Sequence, residues 1–250
     1  MDVIQIEGVT PSAQIREQLA AEGRPVVLAF SRGKDSIAAW LALRDAGIQV
    51  VPFYRYQVPR LRLVEESLDY FERFFGTKIL RIPHVSLWRT LDAYCMQPPH
   101  RCRIIDFADI AVPSYRDSND LVCEHFKLPV AETWVCDGVR ATDTPDRRRA
   151  LKMYGPINEN ERQIHIVWDW RVKQVWGAME AAGVETPPDY RLFKRSLDGL
   201  DARYYGPLLR EYPDDAQRML AWFPMLGVEI FRRNHLSRRH PKLPRVEVSA

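Results

Sequence analysis

Between Val26 and Gly47 the chain runs from an unbroken apolar stretch, Val26-Val27-Leu28-Ala29-Phe30, through Ser31-Arg32-Gly33-Lys34-Asp35-Ser36, into Ile37-Ala38-Ala39-Trp40-Leu41-Ala42-Leu43. The first stretch has no polar alternation, so it predicts a central strand covered on both faces. The last has no polar side to turn to water, so a helix from Ser36 to Ala46 must be deeply buried. Gly47 then stands at the helix C′ position. A buried strand joined to a buried helix by a short polar turn belongs in the middle of a layered α/β domain.

The remaining elements alternate in the same way. Helices are expected at Pro11 to Ala21, along the stripe Val64, Leu68, Phe71 and Phe75, at Ser86 to Tyr94 and at Ser118 to Phe126. A short basic helix opens at Pro145, and Val172, Val175, Trp176 and Met179 mark another. Strands are expected at Ile48 to Tyr54, Lys78 to Ile82, Thr133 to Cys136 and Ile164 to Trp168. The predicted fold class is α/β: a mostly parallel, twisted sheet with helices on both faces. From Pro187 onward Arg, Tyr and Pro are frequent, and an irregular C-terminal extension is expected. The expected organisation is a main domain over residues 1–195, an extension over 196–231 packed on it, and a basic tail over 232–250.

Composition narrows the class. With 250 residues, 46% of them hydrophobic and 28% charged, the chain has the apolar material for a full core. No apolar run approaches the ~18 residues of a membrane helix. Met1-Asp2-Val3 lacks the basic and apolar regions of a signal peptide, so a cytoplasmic protein without a membrane partner is expected. Cys95, Cys102, Cys123 and Cys136 form no C-x-x-C pair, which removes zinc-ribbon and thioredoxin-like readings. The six histidines show no metal-ligand spacing.

The turn itself carries the chemistry. A strand running through it into a helix leaves backbone N–H groups and a helix dipole facing the turn, which favours an anion. Gly33 removes a Cβ from the approach, Ser31 and Ser36 offer hydroxyls, Lys34 offers a point charge, and Asp35 offers a carboxylate to Mg²⁺. In an open parallel sheet ligands bind at the carboxyl ends of strands, where this turn lies. It is neither a Walker loop, since Leu28 and Asp35 stand where Gly and Ser or Thr are needed, nor a Rossmann fingerprint, since Gly33 is its only glycine. The bland alternative is a helix cap made by Ser31 or Asp35 with no ligand.

Ser31-Arg32-Gly33-Lys34-Asp35-Ser36 resembles the S-G-G-K-D-S loop of the PP-loop ATP pyrophosphatases, an adenine nucleotide alpha hydrolase-like fold. The nearest branch is the phosphoadenosine phosphosulfate (PAPS) reductase and ATP sulfurylase small-subunit group. Gly138-Val139-Arg140, Thr144 and Arg147-Arg148-Arg149 are similar to that group's G-x-R, Ser/Thr and Arg series. Val167-Trp168-Asp169-Trp170 with Val175-Trp176 is similar to its P-x-x-D-W and V-W pair, and Tyr190 to its later tyrosine. Arg195-Ser196-Leu197-Asp198-Gly199-Leu200-Asp201 resembles phage-encoded members. The resemblance spans roughly residues 24–195.

The resemblance implies binding of ATP or PAPS by Ser31, Arg32, Gly33, Lys34, Asp35, Ser36, Gly138, Arg140 and Arg147. It also implies Mg²⁺ at Asp35, and adenylyl transfer from ATP with Lys34, Asp35 and Arg140 in catalytic roles. Two departures stand out. Arg32 replaces the usual glycine. No cysteine follows Cys136, and Cys102 stands alone between Arg101 and Arg103, so neither the reductase thiol nor an iron–sulfur cluster is expected. A PAPS reductase with a relocated cysteine and a non-catalytic nucleotide-binding regulator remain the alternatives.

Other clusters have two readings. Arg148 reads as a solvated residue paired with Asp143 or Asp146. Asp198 and Asp201, with Arg195, form either a substrate-facing cluster or a helix cap. Trp168, Trp170 and Trp176 read as core. Arg232, Arg233, Arg238, Arg239, Lys242 and Arg245 make a run without acidic residues in a chain of net charge +3. Such a run is either a solvated end or a nucleic-acid contact.

Overall fold

The computed structural model describes residues 3–197, 199–200 and 202–239. Their contacts form two compact units, each gathered from separate segments. The first draws on Met1–Arg55, Phe71–Ile82 and Ser114–Thr186, the second on Tyr56–Tyr70, Pro83–Pro113 and Pro187–Ala250.

The sheet has six strands: β1 (Val26–Ala29), β2 (Val50–Tyr56), β3 (Leu80–Pro83), β4 (Val135–Asp137), β5 (Ile157–Asn158) and β6 (Gln163–His165). Their order is β3-β2-β1-β4-β6-β5. β1 runs parallel to β2 and β4, β4 runs parallel to β6, and the two-residue β5 is antiparallel to β6. Helices α1 (Ser12–Glu22), α2 (Lys34–Asp45) and α3 (Arg62–Phe75) precede α4 (Val85–Asp92), α5 (Pro99–Ala108) and α6 (Tyr115–His125). They are followed by α7 (Pro145–Tyr154), α8 (Val172–Ala182), α9 (Pro188–Phe193), α10 (Ala202–Glu211), α11 (Pro213–Trp222) and α12 (Leu226–Arg239). The protein is α/β with a mostly parallel sheet flanked by helices.

The two sheet faces have separate covers, because successive strand residues point to opposite sides. Val27, Phe53 and Val135 pack with Val122 and Cys123 of α6. Phe30 meets Trp40 of α2 and Phe71 of α3 edge-on, at 5.0 and 5.1 Å between ring centroids, and Trp40 stacks on Phe75 at 3.9 Å. All of Ser36 to Leu43 is buried, as the absence of a polar face requires.

Several apolar stretches extend beyond their strands. Ile48 is buried but donates its N–H to Leu43 O, closing the end of α2 before β2 begins. Val167 and Trp168 are buried past the end of β6, where Trp168 O accepts from Ala141 N. Burial made these residues apolar, while the ladder ends elsewhere.

In the second unit the expected irregular extension is corrected: beyond Pro187 the chain forms α9 to α12. Pro188 and Pro213 sit in helical first turns, where a missing N–H costs nothing, so these prolines start helices. The buried faces use Tyr204, Tyr205, Leu208, Ala216, Met219, Phe223, Leu226 and Ile230. Asp215 is buried and accepts from Arg62 N at 2.7 Å and Leu63 N at 2.9 Å, tying the start of α3 to α11. The basic run begins inside α12, which reaches Arg239; Lys242, Arg245, Asp198 and Asp201 lie outside the described residues. Among the described residues no helix is long and apolar enough to cross a membrane.

Candidate functional site

From β1 the chain steps outward through β2 and β3 on one side, then returns to β4 and β6 on the other. β1 and β4 therefore flank the point where strand order reverses, and their carboxyl ends open the crevice that α/β sheets use for ligands. Residues 31–36 leave β1 there, and Gly138-Val139-Arg140 leaves β4 there.

The turn after β1 is held by its own hydroxyls. Ser31 Oγ donates to Ser36 Oγ at 3.1 Å, and Ser36 Oγ donates to Gly33 O at 2.9 Å. Gly33 occupies the N-cap of α2 in extended backbone, and no side chain caps the helix there. Gly33 N donates to Ser31 Oγ at 3.3 Å, so the Ser31 hydroxyl ties the turn to the start of α2.

Gly138 explains how the second segment meets the first. A Cβ there would lie 2.8 Å from Ser36 N and closer still to the Asp35 carbonyl. No larger residue fits without moving the Asp35–Ser36 peptide. Two residues on, Arg140 is buried, with Nε 2.8 Å from Asp35 Oδ1 and Nη2 donating to Asp143 Oδ1 at 2.8 Å. The Arg140–Asp35 approach is an ion pair without hydrogen-bond alignment, and Arg140 Nη1 is sealed from water with no hydrogen-bond partner.

Asp35 Oδ2 meets Lys34 Nζ at 2.6 Å, so one carboxylate bridges both cations. Asp143 also accepts from Arg140 N at 2.9 Å and from Arg147 Nη1 at 2.7 Å. Arg147 lies in the first turn of α7, whose N-cap Thr144 accepts from Arg147 N. Lys34, Arg140 and Arg147 thus converge on two carboxylates, an excess of positive charge at the crevice. Arg148 has no ion pair among the described residues, while Arg149 reaches Asp146 at 3.6 Å on the surface.

Arg32 has φ +65°, the left-handed conformation that glycine adopts most cheaply. Its side chain is fully buried, with the guanidinium 5.4 Å from the centroid of the Tyr54 ring.

The D-W motif is structural. Asp169 is buried and accepts from Ser12 N at 2.9 Å and Ser12 Oγ at 2.5 Å, and Trp168 Nε1 donates to Thr10 O. Trp168 is core, but Trp176, expected there too, is 40% exposed. Burial pushes the Cys123 and Cys136 thiols up.

One pair escaped sequence reasoning. Asp137 and His165 are register partners on β4 and β6, with Asp137 Oδ1 2.8 Å from His165 Nδ1. Val139 N and Gln163 Nε2 also donate to Asp137, at 2.9 and 2.7 Å. Nothing in the spacing of residues 137 and 165 signals that pairing before the strand order is known.

Among the described residues no group of three or more His, Cys, Asp or Glu side chains could hold a metal. Asp35 and Asp143 are each engaged by cations, so the described residues offer no resident Mg²⁺ cage. Asp35 suits instead a single contact to Mg²⁺ that arrives with a phosphate ligand, the ion's usual mode in nucleotide sites.

No protein-family model and no curated protein sequence matches this chain.

Proposed function

We propose that this chain is a PP-loop-type enzyme that binds MgATP with its phosphates against residues 31–36 and transfers the adenylyl group to an acceptor oxygen, releasing pyrophosphate. The observation that carries the binding half is Arg140. A buried guanidinium with an unengaged Nη1, beside the start of α2 at the strand-order switch point, is suited to a phosphate oxygen. The resemblance to the PP-loop group supports the chemistry.

In that reading Lys34 and Arg140 exchange Asp35 for phosphate oxygens, and the freed carboxylate faces the magnesium of the substrate complex. The acceptor oxygen forms a bond to the α-phosphorus as the bond to the bridging oxygen breaks. Lys34, Arg140 and the α2 N–H groups stabilise the charge that grows on the departing pyrophosphate. Asp143 holds Arg140 and Arg147 in place throughout.

The test is calorimetric titration with MgATP alongside an assay for pyrophosphate. Arg140→Met should weaken MgATP about tenfold or more, in line with the ~1.5–3 kcal/mol of a charged hydrogen bond. Unchanged affinity in the folded variant removes the site. Tight binding with no pyrophosphate would make the chain a nucleotide-binding regulator.

A further inference from the structure

Arg55 lies near the carboxyl end of β2. The register pairs Ala29 with Phe53, so Arg55 stands two residues on, where β1 gives way to the 31–36 turn. Its guanidinium lies 4.5 Å from the centroid of the Phe53 ring and 5.3 Å from that of Tyr115. Nε donates to Ser118 Oγ at 3.1 Å and Nη2 to Asn119 Oδ1 at 2.6 Å. All four partners are neutral. Arg81, Arg140 and Arg162 meet Glu72, Asp143 and Asp120, whereas Arg55 meets no carboxylate among the described residues.

This arrangement is costly unless something completes it. Burial pushes the Arg55 guanidinium down to about 10, with Tyr115 acting the other way, so the group stays charged at neutral pH. A cation drawn out of water without a counter-ion is destabilising. The hydrogen bonds leave one edge open. Nε–H and the adjacent Nη2–H form the side of the guanidinium, and Ser118 with Asn119 occupies that side. The far end carries one N–H on each Nη. Nη1 makes no hydrogen bond to the described residues, and it is not among the sealed polar atoms, so it keeps access to water. A planar fork held against two rings and steered by two neutral acceptors matches the geometry of bidentate oxyanion binding.

We propose that Arg55 is a receptor for an oxyanion (phosphate, sulfate or carboxylate), built from Phe53, Tyr115, Ser118 and Asn119 and separate from residues 31–36. It stands whether or not the neighbouring turn binds ATP. The anion comes either free from solution or as a phosphate carried by a nucleotide.

Calorimetric titrations of the full chain with inorganic phosphate, sulfate and acetate, at constant ionic strength, test the site. Arg55→Met should weaken at least one of them about tenfold or more, and Arg55→Lys, which keeps the charge but loses the fork, several-fold. Arg140→Met, which alters the proposed ATP site, should leave the Arg55-dependent part of that affinity in place. Asn119→Asp, nearly isosteric, gives the guanidinium an internal carboxylate and should abolish oxyanion binding in a fold that circular dichroism shows intact. Repeating the titration with saturating MgATP separates the sources. Undiminished binding identifies a free oxyanion. Competition by MgATP, together with weaker MgATP binding by Arg55→Met, identifies a nucleotide phosphate. No oxyanion binding in the wild type, equal affinity in wild type, Arg55→Met and Asn119→Asp, or a loss confined to Arg140→Met would overturn the proposal.

Discussion

Gly138 is glycine for reasons of space. Its backbone presses on the Asp35–Ser36 peptide, so the residue that follows β4 and the turn that follows β1 are fixed by one contact. Gly138→Ala forces a methyl group into that peptide. The backbone must shift, as in an overpacked core, at a cost of about 1–3 kcal/mol. The same shift moves Arg140 relative to Lys34. We expect Gly138→Ala to lower the urea midpoint and to weaken MgATP together, and a variant with wild-type values of both would show that the approach is looser than described. Arg32 is the opposite case. There the left-handed backbone asks for glycine, and an arginine occupies the position with its side chain fully buried over Tyr54. The sequence marks Arg32 as unusual but gives no sign of that destination, because Tyr54 meets it only through the pairing of β1 with β2.

At the scale of elements, the end of α3 is tied to the start of β3 by one carboxylate. Glu72 accepts from Lys78 Nζ at 2.6 Å, from Ile79 N at 3.0 Å and from Arg81 Nη1. Burial alone would raise this carboxyl, but the three hydrogen bonds outweigh it and hold it down to about 2, against an ordinary value of 4.5. A depressed folded value means stability that is fully present above about pH 4.5 and lost as pH falls through about 2. Glu72→Gln should therefore be less stable than wild type at pH 7, and the gap should narrow on acidification across that window. Denaturation curves at pH 7, 4.5 and 3 that stay parallel would show that Glu72 does not carry the tie. The tie also marks where sequence reading succeeds and fails. The stripe Val64, Leu68, Phe71 and Phe75 announces α3 because one face of it is core. α5 announced nothing, because none of its residues is buried and no apolar period exists to be found. The turn over residues 31–36 was legible because strand, turn and helix are contiguous. The Asp137–His165 pair and the Arg55 fork were not, because each joins elements brought together only by strand order.

For the whole molecule, the division into two units bears on redox chemistry. Their segments interleave along the chain, so neither unit is visible as a continuous stretch of sequence. Reduction of PAPS by the usual route needs a thiolate to attack the sulfo sulfur, and a second thiol to regenerate it. Cys123 and Cys136 belong to the unit that carries residues 31–36, but both are buried, and burial raises their thiols further from the reactive form. Cys95 and Cys102 have access to solvent and belong to the second unit. Cys102 Sγ donates to Gln97 O at 3.7 Å, within the approach to α5. We therefore expect the chain to bind PAPS through the same cations as ATP but to release no sulfite from it above background, with either thioredoxin or glutaredoxin as reductant. Cys102→Ser should leave that result unchanged. Steady sulfite release by the wild type would restore the reductase reading, and its disappearance in Cys102→Ser would place the nucleophile on α5.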